Sequence, residues 1–179
     1  RTKHLEGVLL KDGYKIFDSD THVGPAAGIL ESYMTAAEVA RLEPWQPFKQ
    51  ASHYDTSGKE YVYRRYGRSY PRRLGADIND KDEKSDGPDM VPPARSRPVA
   101  AHVDSDPAAR ISDMDFEGVD VNLTLPSGWF GTWTTGDDVA MELGMYRAYH
   151  RWMEDYCGRY PDRLGGVLLA CARDVEGSV

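Results

Sequence analysis

Polar and apolar side chains mix at short range in the run Tyr14-Lys-Ile-Phe-Asp-Ser-Asp-Thr-His-Val23, and a period of two predicts a strand there. On that period Asp18, Asp20 and His22 share one face, while Phe17, Ser19 and Thr21 point the other way. Three ionisable groups on one strand face need water, a charge partner or a metal. Gly24-Pro25 breaks the strand. Ile29 with Tyr33, then Val39 with Leu42, recur at helical spacing and predict short helices over 27–34 and 36–42. Thr35 followed three residues later by Glu38 has the form of a capping box that starts the second. From Trp45 to Pro71 the chain turns aromatic and basic, with Tyr61, Tyr63 and Tyr66 near the turn candidate Ser57-Gly58. A small hairpin or irregular lid is expected there.

The stretch from Gly75 to Pro98 carries many charges, four prolines and almost no large apolar side chains. It cannot bury enough surface to offset its chain entropy, so it is expected as a long surface loop rather than a domain boundary. Pattern returns at Pro107–Glu117, a helix with Pro107 in its first turn and Gly118 placed to end it. Val119–Leu125 alternates as a strand, ended by Pro126-Ser-Gly128. Asp137–Tyr156 is the longest helical pattern, and Leu164–Ala170 reads as a further apolar strand. Asp174-Val-Glu176 could cap one more helix. Strands alternating with helices in this way predict parallel βα units in an α/β fold.

Charge narrows the functional classes. Against 22 Lys+Arg stand 29 Asp+Glu, for a net charge of −7, which argues against a general phosphate-binding surface. The cluster Arg64, Arg65, Arg68, Arg72 and Arg73, interleaved with Tyr63, Tyr66 and Tyr70, has the make-up of a single-strand nucleic-acid surface. With an acidic segment next to it, intramolecular pairing or a subunit contact is the expected use. No window approaches the roughly 18 apolar residues of a membrane span, and Arg1–Leu10 lacks a signal-peptide core, so a cytoplasmic protein is expected. Cys157 and Cys171 lack the close pairing of a zinc or redox motif and are read as small buried residues.

The sharpest chemistry is Asp18-Ser-Asp20-Thr-His22 at the end of the first strand. At the C-terminal end of a parallel strand, Asp20 and His22 would project into a catalytic mouth. A carboxylate and an imidazole two residues apart offer an O,N pair to a divalent metal, and a buried hydrogen-bonded pair is the alternative. Phe17-Asp-Ser-Asp-Thr-His-Val23, the block Arg110-Ile-Ser-Asp-Met-Asp-Phe-Glu-Gly-Val-Asp-Val121 with Pro126-Ser127, and Tyr149-His-Arg-Trp152 leading to Tyr160-Pro-Asp-Arg-Leu-Gly-Gly166 resemble the amidohydrolase-related family. The resemblance is to its family 2 branch, which includes aminocarboxymuconate-semialdehyde decarboxylase. The three blocks stand in the family's order and cover most of the chain outside residues 45–105.

What the resemblance implies is the N-terminal portion of a (β/α)8 TIM-type barrel, with a long inserted loop at about 45–105. The family holds a metal with an acidic-or-His–x–His pair on strand 1, a His from a middle strand and an Asp from strand 8. Only Asp20 and His22 carry over to this sequence, and Asp20 stands where several members have Glu or His. Asp18, on the same strand, is expected behind the ligands. The implied activity is metal-dependent hydrolysis or non-oxidative decarboxylation of a small carboxylate-bearing substrate, with Zn, Mn or Fe as the divalent ion. Two other readings are a dinuclear iron or manganese oxygen-dependent enzyme on the same barrel and a non-catalytic partner subunit. Either way a homo- or hetero-oligomer is expected.

Trp129, Phe130, Trp133 and Arg173 follow strand ends; the aromatics would wall a pocket mouth or pack on the rim, and the arginine would meet an anionic substrate group or form a surface salt bridge. His4, His53, His102 and His150 read as surface or packing residues. Because such barrels take about 250 residues, residues 1–179 are expected to form one part of a longer barrel domain. The general base and remaining ligands would then lie beyond residue 179.

Overall fold

The computed structural model describes residues 13–52, 59–64, 106–126, 132–133 and 137–178. Three strands, β1 (Phe17–Val23), β4 (Val121–Pro126) and β5 (Leu164–Gly166), form a parallel sheet in chain order, β1-β4-β5. After β1 come α1 (Ala27–Ser32), α2 (Ala36–Ala40), a 3-10 turn at Glu43–Phe48, and the antiparallel pair β2 (Lys49–Ala51) and β3 (Tyr61–Tyr63). Helix α3 (Pro107–Glu117) precedes β4, and α4 (Val139–Gly158) joins β4 to β5. The protein is therefore mixed α/β with a three-stranded parallel sheet, and the hairpin expected between Trp45 and Pro71 is present.

Local chemistry explains the helix ends. Thr35 Oγ1 accepts from the Glu38 amide at 3.3 Å, and the Glu38 carboxylate accepts from the Thr35 amide at 2.7 Å, which completes the capping box. Pro107 opens α3 behind an Asp106 cap, and Gly118 ends it with φ 78°, a conformation that costs a side-chain-bearing residue far more than glycine. Asp138 caps α4 through the Met141 amide.

Among the described residues, helices cover one face of the sheet. Pairing places the buried Asn122 and Thr124 beside Leu164 and Gly166, and Thr124 lies beneath α4, whose Met153 sulfur is 3.5 Å from its hydroxyl. Helix α3 lies on the same side, because Arg110 Nε donates to Tyr156 Oη of α4 at 2.8 Å. The opposite face carries Val121, Leu123 and Leu125, with Phe17 beside Val121 and His22 beside Leu125. Phe17 is 59% exposed there. Both helices that flank β4 in the chain thus fall on one side of the sheet.

Two expectations change. The strand over Leu164–Ala170 stops at Gly166: the Val167 amide still bonds the Thr124 carbonyl, but the Leu169 amide donates to His150 Nε2 at 2.9 Å. The backbone is drawn off the sheet toward α4. The beginning of the expected irregular insertion is packed rather than loose, since Trp45, Val62 and Tyr63 belong to the hydrophobic core. The expected loop at 75–98 lies outside the described residues. Among the described residues no helix is long and apolar enough to cross a membrane.

Candidate metal centre

Strand β1 is not regular. Asp18 opposes Asn122 and Thr21 opposes Thr124, so three steps along β1 match two along β4, the signature of a β-bulge. The Asp18 carboxylate closes it, accepting from the Asp20 amide at 3.0 Å and from the Thr21 hydroxyl at 2.8 Å. Strict alternation, which would put Asp18 with Asp20 and His22, is therefore overturned. Asp18 shares the covered side with Thr21 and the buried Val23, because the inserted residue turns the strand between them. The bond from the Asp20 amide, and next that from the Thr21 hydroxyl, hold the Asp18 carboxyl below the usual carboxylate range.

Beyond the bulge, Asp20 and His22 come together as expected. His22 Nε2 lies 3.2 Å from Asp20 Oδ1, and the side chains are 56% and 85% exposed. A divalent ion held at about 2.1 Å by one carboxylate oxygen and one imidazole nitrogen, at roughly 90–110° between bonds, separates those donors by roughly 3.0–3.4 Å. The observed 3.2 Å falls in that range and is equally the length of the direct hydrogen bond that joins the two side chains here. Among the described residues no group of three or more His, Cys, Asp or Glu gathers as a metal cage, so the pair supplies two donors.

Arg110, which the sequence reading did not single out, fixes the end of this strand. Its guanidinium donates to the His22 carbonyl at 3.1 Å and to Tyr156 Oη, tying β1 to α3 and α4. An arginine on the covered face of a helix was the available signal.

The loops at the C-terminal end of the sheet converge. Thr132, after β4, donates to the Tyr63 carbonyl of β3 at 2.9 Å. Arg173, after β5, donates to the Trp133 carbonyl at 3.3 Å and is bound through Nε and a terminal nitrogen to the Glu142 carboxylate of α4. Its guanidinium thus ties three segments together, with a carboxylate of the chain itself in the position expected for a substrate anion. Glu142 is 3% exposed and also meets the Tyr146 hydroxyl, which burial and then the Glu142 charge push up. A buried glutamate on the long helix was the overlooked sign that Arg173 is engaged. Trp133 is fully buried and packs on Trp45 and Tyr63, with ring centroids 4.8 and 5.1 Å apart, so it is a packing residue and not a pocket wall.

The remaining histidine on α4 and both cysteines keep structural roles. His150 accepts the Leu169 amide through Nε2, and burial, the main influence, lowers its pKa from 6.5. Cys171 is buried; Cys157 is half-buried, and burial pushes its thiol up. Trp129, Phe130, Arg65, Arg68, Arg72, Arg73, His4, His53 and His102 lie outside the described residues. Compared with known proteins, the chain matches no family model and no curated protein.

Proposed function

We propose that the chain is the N-terminal part of a (β/α)8 barrel of the amidohydrolase-related kind. It would serve a metal-dependent hydrolase or non-oxidative decarboxylase of a small carboxylate-bearing substrate. The observation that carries this reading is the Asp20–His22 pair, 3.2 Å apart at the C-terminal end of β1 and standing on the side of the sheet opposite α3 and α4. Sheet order is compatible with the barrel. Neighbours follow one another in the chain, and α3 and α4 lie on the same face, an arrangement that a singly wound barrel shares with one half of a doubly wound sheet. Val121, Leu123 and Leu125 would then line the barrel interior.

Asp20 Oδ1 and His22 Nε2 would hold the divalent ion, Zn, Mn or Fe, as two of its ligands. The ion would polarise a substrate carbonyl or carboxylate, or lower the pKa of water. The chain's own part is to present one oxygen and one nitrogen donor 3.2 Å apart. A dinuclear oxygen-dependent centre loses its second β1 carboxylate, because Asp18 is turned to the covered side.

Metal analysis of the complete protein tests the reading, with the double variant Asp20→Asn/His22→Ala beside it. The expected result is a divalent ion lost in the variant together with turnover, and wild-type turnover that persists without oxygen. Unchanged metal content in the variant would overturn the assignment.

A further inference from the structure

The bulge in β1 does more than bend a strand. Asp18, two residues before the first donor, accepts the backbone N–H of Asp20 itself, and its second oxygen takes the Thr21 hydroxyl one residue further on. A bulge leaves its extra residue without a ladder partner, and the Asp18 carboxylate supplies one. Downstream the strand is pinned: Thr21 stands beside Thr124, Val23 is buried at 1% exposure, and Arg110 holds the His22 carbonyl. The segment Ser19–Asp20 is therefore gripped from both ends. Asp20 is 85% exposed on its side chain, whose described partner is His22 Nε2 at 3.2 Å, so its placement rests on that contact and on the backbone that carries it.

We propose that Asp18 and Thr21 form a clamp that presets Asp20 beside His22 for a divalent cation, with Asp18 acting as a positioning residue through the Asp20 amide. The inference rests on Asp20 and His22 being metal donors. Without the clamp the carboxylate must be ordered when the cation arrives, and affinity falls by that ordering cost. Partners that orient metal ligands are typically worth 10–100-fold in affinity. Asp18→Ala, which removes both acceptors, should weaken binding by about that range. Thr21→Val loses one contact and should fall between Asp18→Ala and wild type, while Thr21→Ser keeps the hydroxyl and should bind like wild type.

The experiment is a Co2+ titration of the complete protein, followed by calorimetry and by the visible ligand-field bands, in wild type, the three variants and Asp20→Asn/His22→Ala. Asp18→Asn, which keeps a side-chain acceptor for the Asp20 amide, serves where Asp18→Ala does not fold, and should weaken binding less. The clamp predicts altered bands and weaker binding in Asp18→Ala or Asp18→Asn and in Thr21→Val, with rescue by Thr21→Ser. Weaker binding in Asp20→Asn/His22→Ala alone, with the clamp variants at wild-type affinity and spectrum, would overturn the clamp and leave the metal reading standing. If Asp20→Asn/His22→Ala binds as well as wild type, the metal reading fails and the clamp's role with it.

Discussion

At the scale of single residues, His150 ties the chain after β5 to α4 by accepting the Leu169 amide, a contact available only to an unprotonated Nε2. Burial, aided by the neighbouring Arg151 charge, lowers its pKa below the 6.5 of the unfolded chain. As pH falls through about 6.5, the unfolded state takes up a proton that the native state refuses, so stability declines from there down to the lower native pKa. His150→Gln keeps an acceptor without titrating. Its Tm should be flatter than wild type's between pH 7.5 and 5.5, and equal slopes in the two proteins would refute this. The Asp20–His22 pair was legible because an i,i+2 relation within one strand is local. Asp18 was misplaced because its face depends on pairing with Asn122, in a strand about a hundred residues away.

At the scale of elements, caps and turns read well from the sequence: Thr35 with Glu38, Pro107 with Gly118, and the long helix all lie close to where their signals put them. These are short-range effects of side chains on neighbouring backbone. The end of β5 was not readable in that way, because the apolar run continues past Gly166 while the Leu169 amide goes to His150. Helix α4 sits so close to β5 that a Cβ at Gly166 would overlap the Met153 side chain. Gly166→Ala should therefore cost about 1–3 kcal/mol in urea unfolding. In a Met153→Ala background the same change should cost clearly less, since the overlapped atoms are gone; equal costs in both backgrounds would show that the strain lies elsewhere.

At the scale of the molecule, strand and helix order and the parallel sheet follow from the apolar periodicity. The aromatic packing of Trp133 on Trp45 and Tyr63 does not, because segments distant in sequence meet there. The Glu142–Arg173 pair joins the same region across α4 and the loops after β4 and β5. Arg173→Met would leave a glutamate that is 3% exposed without its guanidinium. The cost should be roughly 3 kcal/mol, near the low end for breaking a buried pair, because Arg173 is 36% exposed on its side chain. Adding Glu142→Leu should recover much of that loss in chemical denaturation. If the double variant is no more stable than Arg173→Met, the carboxylate is not the source of the cost.

The order of strands in the sheet also sets an order of events in time. Joining β1 to the strand beside it brings together Ile16 and Asp120, 104 residues apart, whereas β4 and β5 meet through Thr124 and Gly165, only 41 apart with α4 between them. Closing the longer loop costs roughly 0.8 kcal/mol more in chain entropy, and the shorter one encloses a helix that forms quickly by itself. The β4–α4–β5 unit should thus be the nucleus on which β1, with the candidate metal donors, assembles last. Leu164→Ala should chiefly slow refolding and Val23→Ala chiefly speed unfolding in stopped-flow chevrons; the reverse partition would place β1 in the nucleus. Donors that arrive last are also the first to leave, so a bound ion should retard unfolding more than it hastens folding.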